Sequence, residues 1–423
     1  SEEAEMFCEK KMLRGFGMIC WALLLFGCQQ PPTNIKIGYI DPLSGPFANV
    51  GTHFQRELEF FVERINRRGG VLGGQQFEVV ALDGKGKPED SLIAFQKLVD
   101  NQIRYMLQGN SSAVAVSLSE KVRKHNNRNP GSEILYLNYN AVDPILTNDK
   151  CNFWHFRFDP DVDMKMQALT NFMASKKNIK RVYLINQDYS FGHAFSKAAK
   201  QMLKAKRPDI KIVGDDFHPL GKVKDFVPYI SKIKASKADV VLTGNWGPDA
   251  SLLVKAGEEI KLNVDFYTYY GGFVGSPSII GRAGMGRLKQ VTGFHSNVGR
   301  GVNTLVDAYR DRFPDANDDL YSVSLLYTME MLANAMEQAN STEPLLVARA
   351  LAGSKFEGPV GEVWIREDNH QLLQPLYVST LREVGEDGVT YDVERTGLGF
   401  ATDGRVEAID TVLPTTCEMK RPS

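Results

Sequence analysis

Residues 35–51 read IKIGYIDPLSGPFANVG. Ile35, Lys36, Ile37, Gly38, Tyr39 and Ile40 have the pattern of a buried strand, and Asp41-Pro42-Leu43-Ser44-Gly45-Pro46 ends it with turn residues. Apolar residues at Phe54, Leu58, Phe61, Val62 and Ile65 then predict a helix opening near Thr52. Strand, tight turn and helix make the first half of a βαβ unit. In open α/β sheets the loop at a strand's carboxyl end is where ligands sit. The turn offers the Ser44 hydroxyl and backbone N–H groups but no nucleophile–base pair, so it suits holding a small molecule.

The alternation continues outward from there. Strands are expected at 77–82 (FEVVAL), 103–107 and 134–137, with helices at 88–101 and from the polar loop 108–112 through about residue 124. Residues 154–160 read as a connecting strand. A second series follows, with helices at 163–177, up to 206, 225–235 and up to 258, and strands at 181–186, 210–214, 239–243 and 264–269. From about residue 290 long amphipathic helices appear at 303–313, 321–340 and 344–352, then strands at 360–365 and 376–382 that look antiparallel. The expected fold class is α/β, two doubly wound Rossmann-like lobes joined by a hinge of several crossings.

Composition is that of an ordinary globular chain, 43% hydrophobic and 24% charged, and a net charge of −1 gives no basic face for nucleic acid. The amino-terminal end differs. Lys10, Lys11 and Arg14 precede GMICWALLLFG at 17–27, an apolar run of secretory length, and Leu25-Phe26-Gly27-Cys28 resembles a bacterial lipobox in which Cys28 would be acylated. Phe26 departs from the small residue usual there, which leaves plain cleavage nearby as the alternative. Removing 1–28 takes four of the 51 acids and three of the 50 bases, leaving 47 of each. Residues 29–33 are then a linker. The mature part keeps Cys151 and Cys417, and two cysteines in an exported chain favour one disulfide.

Catalytic signatures are missing. There is no GxxxxGK[ST] loop and no GxSxG elbow, and GRAGMG at 281–286 lacks dinucleotide spacing. Ser231-Lys232-Ile233-Lys234 matches SxxK but lies on a lysine-rich amphipathic helix, where a solvated face is the plainer reading. None of the seven histidines lies within four residues of another, so no local metal site and no cofactor are expected. An exported two-lobed α/β chain without a catalytic constellation points to binding. A ligand-sensing regulator and a dehydrogenase-type enzyme are the other classes; the leader opposes a cytosolic sensor, and the missing fingerprint opposes the enzyme.

IGYIDPLSGPFANVG, with NRRGGVLGG at 66–74, DYSFG at 188–192 and GPVG at 358–361, resembles the type I periplasmic binding proteins, in the leucine–isoleucine–valine-binding branch that serves ABC importers. The resemblance implies two lobes, 34–155 plus 296–370 and 156–295 plus 371–413, with a tail at 414–423. It implies hinge closure on a ligand in the cleft. It also implies an ABC permease as partner, a periplasmic or membrane-surface location and a monomer. Its loops match Ser111, Ser112, Asn140, Ala141 and Asp143 in the first lobe, and Tyr189, Phe191, Asn245, Trp246 and Tyr270 in the second. With Ser44 these are the candidate ligand-binding residues.

Each has a plainer reading: Ser111 and Ser112 as a helix cap, Trp246 as a cap, Tyr189 and Phe191 as lobe packing, Arg157 as a structural ion pair. Amino-acid binders of this branch place an acid in the third loop of the second lobe to pair with the ligand ammonium. Here that loop is Tyr269-Tyr270-Gly271-Gly272-Phe273-Val274-Gly275, without one. Either Asp143 or Asp188 substitutes, aromatic faces take the ammonium, or the ligand is a carboxylate with no amine.

Overall fold

The computed structural model describes residues 34–315 and 319–422; the expected leader, Cys28 and the linker lie outside them. The first sheet comes from β1 (Ile35–Asp41), α1 (Ala48–Arg67), β2 (Phe77–Asp83), α2 (Pro88–Asp100), β3 (Tyr105–Gln108), α3 (Ser112–Arg128), β4 (Leu135–Asn138) and β5 (His155–Arg157). Its five strands are parallel, in the order β2-β1-β3-β4-β5. The helix after β1 starts at Ala48, a turn earlier than expected, with Val50 buried four residues before Phe54 on the same face.

The second sheet is built by α4 (Val162–Ala174), β6 (Arg181–Gln187), α5 (Ser190–Lys206), β7 (Lys211–His218), α6 (Val227–Ser236), β8 (Val240–Thr243), α7 (Pro248–Glu259), β9 (Asp265–Thr268), α8 (Ser276–Ile280) and β10 (Leu288–Thr292). The chain then returns to the first sheet with α9 (Arg300–Arg312), α10 (Ser324–Ala339) and α11 (Pro344–Leu351). Arg312 pairs with Glu63, Arg68 with Glu330, and the Tyr105 hydroxyl donates to Thr342 O at 2.6 Å. A small antiparallel sheet follows, β11 (Lys355–Gly358), β12 (Gly361–Ile365) and β13 (Leu372–Leu373). Finally β14 (Leu376–Glu383) and β15 (Leu398–Val406) join the second sheet, whose order is β15-β14-β10-β9-β8-β6-β7. The two late strands expected to look antiparallel, 360–365 and 376–382, both pair antiparallel but in different sheets. β14 pairs antiparallel with β10 and β15, neither of which the apolar pattern marks.

The chain passes between lobes after β5, between β10 and α9, and between β13 and β14. The first and third crossings are fastened together. Arg157 N–H donates to His370 O at 3.0 Å, Gln371 Nε2 to Asp159 O at 3.0 Å, and Gln374 Nε2 to Phe158 O at 2.8 Å. Among the described residues no helix is long and apolar enough to cross a membrane.

Cys151 and Cys417, 266 residues apart, form a disulfide with their Cα atoms 5.6 Å apart. It ties the tail beyond β15 back to the first lobe, where Thr415 Oγ1 also donates to Thr147 O at 2.9 Å. A cross-link closing so long a loop restricts the unfolded chain. Cys417→Ser is expected to cost about 2–5 kcal/mol in chemical denaturation, a difference that reductant abolishes by lowering the unaltered protein to the same level. Equal midpoints without reductant would refute that expectation.

Candidate functional site

The strand orders place the site. The first sheet reverses direction of growth between β1 and β3, the second between β6 and β8. Loops at the carboxyl ends of strands on either side of such a switch diverge and leave a crevice. Here the two crevices face each other across one cavity. Val50 of α1, Gly109, Asn110, Ser111 and Ser112 after β3, and Asn140, Ala141 and Val142 after β4 form one wall. Tyr189, Phe191, Trp246, Gly247, Tyr270, Phe273 and Val274 form the other.

The first wall is polar and ends on a helix. The first N–H groups of α3 have no carbonyl within the helix to bond, and Ala115 is the first to donate inward, to Ser111 O at 3.1 Å. Those N–H groups and the helix dipole suit an anionic group. Ser111 holds φ at +78°, a conformation unusual for a side-chain-bearing residue and the kind of local strain that surrounding contacts must maintain. Gly109 is required for a different reason: a Cβ there would lie 2.6 Å from the Tyr139 ring.

Asp41, at the end of β1, organises this wall from behind. Its carboxylate accepts Asn110 N–H at 2.8 Å, Gly109 N–H at 3.3 Å and the Tyr139 hydroxyl at 2.6 Å. Burial outweighs these three donors and pushes the Asp41 carboxyl up to about 7. The folded protein therefore binds a proton between about pH 4 and 7 that the unfolded chain gives up. The stability this contributes is complete below about pH 4 and is lost as pH rises through 7. Asp41→Asn is expected to flatten the stability–pH slope in that window by up to about 1.4 kcal/mol per pH unit, read by denaturation at several pH values. An unchanged slope would place the titration elsewhere.

The second wall is aromatic. Trp246 Nε1 donates to the Tyr189 hydroxyl at 2.8 Å, and the rings of Phe191 and Tyr270 lie 6.0 Å apart. Burial, and after it the charge of Asp143, raises the Tyr189 hydroxyl pKa, so it stays protonated. At the cleft mouth Phe47 of the first lobe meets Trp246 with ring centroids 4.2 Å apart. Gly247, with φ +60°, leaves room for the Phe47 ring, which a Cβ would meet at 2.9 Å. Deeper in, the Tyr321 hydroxyl donates to Glu394, which also accepts Ser278 N–H at 2.7 Å.

Of the sequence-derived candidates, Ser111, Ser112, Asn140, Ala141, Tyr189, Phe191, Trp246 and Tyr270 line the cavity. Three do not. Ser44 is exposed and donates to Asp83 Oδ2 at 2.5 Å, so the turn 41–46 braces β2 rather than facing a ligand. Asn245 is buried inward, its Nδ2 2.8 Å from His218 Nε2. Asp143 sits behind its loop, capping the short helix Pro144–Thr147 through Ile145 N–H at 3.1 Å, while its own N–H donates to Ser112 Oγ at 3.2 Å. Asp188, weighed as a substitute acid, turns outward to His193. Among the described residues no acidic side chain lines the cavity. The named candidates left out Val50, Asn110, Val142, Phe273 and Val274, although Asn110 and Phe273 stand in loops that the resemblance matches to the ligand. The aromatic Phe273, three residues past Tyr270 in the same glycine-rich loop, carried the signal that would have found it. Among the described residues no group of three or more His, Cys, Asp and Glu side chains is arranged to hold a metal.

The family model described as "Periplasmic binding protein" matches residues 34–388. The Leu/Ile/Val-binding protein homolog 4 of Brucella melitensis biotype 1 is 31% identical over 417 residues, covering 96% of this chain and 98% of that protein. The closed-conformation crystal structure of a leucine-, isoleucine-, valine-, threonine-, and alanine-binding protein from Brucella ovis superposes with a TM-score of 0.82 at 28% identity, covering 92% of this chain and all of that one. A solute-binding protein of an R. palustris ABC transporter, solved with benzoate, shares the fold at a TM-score of 0.75 and 19% identity, over 91% and 99% of the two chains. The chain belongs to the type I periplasmic binding proteins, in the Leu/Ile/Val-binding family.

Proposed function

We propose that the protein is the extracytoplasmic receptor of an ABC importer, closing as a monomer on a small amino acid or a related carboxylate or amide, without chemistry on it. One observation carries the reading: a helix N-terminus with two serines faces a wall of five aromatic side chains across one cavity. A carboxylate meets the N–H groups of α3 while an apolar body packs on Tyr189, Phe191, Trp246, Tyr270 and Phe273. The names of the relatives support an amino acid. Export through residues 1–28, with Cys28 acylated or the leader simply removed, would deliver the protein to the periplasm or the outer face of the membrane.

A second reading is an aromatic or aliphatic carboxylate with no amine, favoured by the lack of an acidic side chain on the cavity walls. Thermal-shift titration against amino acids, aromatic acids, short-chain acids and their primary amides separates the two. Saturating ligand at a hundredfold excess over Kd stabilises the fold by about 2.7 kcal/mol. Shifts with amino acids alone select the first reading, and shifts with amine-free carboxylates select the second. No shift with any carboxylate overturns both.

A further inference from the structure

Behind Phe273 lies a second, much smaller pocket at the junction of the lobe crossings. Phe273 lines both spaces. The far side holds an ion pair, Lys165 Nζ to Asp159 Oδ2 at 2.6 Å, with the Lys165 side chain 1% and the Asp159 side chain 11% exposed. Lys165 Nζ also lies 4.9 Å from the centroid of the Tyr270 ring, whose residue lines the main cavity. The pair is incompletely used. Asp159 Oδ1 accepts no hydrogen bond among the described residues, and the Lys165 ammonium has three N–H groups for one carboxylate oxygen and the ring faces of Tyr270 and Tyr269, the latter 5.6 Å away. The other polar side chains there are committed: Thr292 Oγ1 to Phe294 O at 2.7 Å and Gln374 Nε2 to Phe158 O at 2.8 Å.

We infer that this compartment is a specificity subsite for the distal end of the ligand, and that it selects a neutral group able both to donate and to accept, a hydroxyl or a primary amide. Such a group meets Asp159 Oδ1 with its donor and a Lys165 N–H with its acceptor. A second charge of either sign would leave one member of the buried pair uncompensated, and a methyl terminus would leave both polar atoms without a new partner. The inference rests on the carboxylate-receptor reading and adds a second recognised end to it. It also gives Lys165 and Asp159 a use that their burial alone does not explain, since replacing such a pair by apolar residues is often neutral for stability.

Calorimetry on the whole protein with two isosteric pairs tests it: leucine against asparagine, and 4-methylbenzoate against 4-hydroxybenzoate. In at least one pair the polar-ended member is expected to bind about tenfold more tightly. Asp159→Leu with Lys165→Met removes both charges together, and so keeps the fold, and it brings the ratio to about one while the methyl-ended member changes less than about threefold. Asp159→Asn, equal in size to the original residue, is the second variant and lowers the ratio at least about threefold. Equal or reversed preference in the unaltered protein overturns the inference, as does a preference that survives both variants. Binding of the methyl-ended probes without preference leaves the receptor reading intact. Failure of all four probes overturns this inference, while the receptor reading is decided by the wider thermal-shift panel.

Discussion

Trp246→Ala is expected to weaken ligand binding about a hundredfold, roughly 2–3 kcal/mol, in calorimetry with the tightest ligand of the panel. The indole does three things at once. It forms part of the aromatic wall, it holds the Tyr189 hydroxyl through Nε1 at 2.8 Å, and it meets Phe47 of the opposite lobe at 4.2 Å. Truncation therefore removes apolar contact with the ligand, frees Tyr189, and takes away a contact made only when the lobes are together. Trp246→Phe keeps most of the ring and should lose less, while Tyr189→Phe isolates the hydrogen bond. The unliganded melting temperature should move little beyond what loss of one buried aromatic explains. Unchanged affinity in Trp246→Ala would mean that this side chain only packs the lobe.

Arg157→Met is expected to cost about 3–5 kcal/mol of stability by urea denaturation. The guanidinium is fully enclosed, and each of its three nitrogens has a partner: Nε donates to Gln371 Oε1 at 2.6 Å, Nη1 to Asp143 O at 2.6 Å, and Nη2 to Asp161 Oδ2 at 3.0 Å and to Thr147 Oγ1. Burial lowers its affinity for the proton, and Asp161 is the largest of the surrounding carboxylates that restore it. Methionine would leave Asp161 buried without its cation and unfasten two crossings together with the loop of Asn140 and Ala141. Asp161→Asn keeps the cap that Asp161 Oδ1 gives to Met164 N–H at 2.9 Å, so a double-mutant cycle isolates the charge interaction. The second substitution should cost less in the Arg157→Met background than alone; equal costs would show that packing dominates. Lysine cannot replace the planar fork and is expected to fail similarly.

The legibility of the chain follows from which forces are local. β1, β4 and β6 were visible because strands buried on both faces are nearly continuous apolar runs, and the edge strand β2 because FEVVAL is rich in β-branched and aromatic residues. β10 (LKQVT) and β15 (LGFATDGRV) were not, since both carry polar or glycine residues, and β10 is held on one side by β14, far along the chain. The same division runs through the site. Trp246, Tyr189, Tyr270 and the serines stand in loops after recognisable strands, so strand order alone brings them to one cleft. Ser44, Asn245 and Asp143 stand in equally suitable loops, yet Asp83, His218 and the short helix Pro144–Thr147 claim their side chains. Nothing in a linear spacing announces such competition.

The sequence by itself determined the α/β class, the two alternating series, the family resemblance and the loops from which a binding site would come, because periodicity and turn chemistry act within a few residues. Tertiary structure alone decided which loop side chains face the cavity and that the acids expected near the ligand turn away from it. It also decided that a buried Lys165–Asp159 pair sits behind Phe273. Those outcomes depend on hydrogen bonds and burial between segments tens to hundreds of residues apart, where a side chain goes to whichever partner best offsets its desolvation.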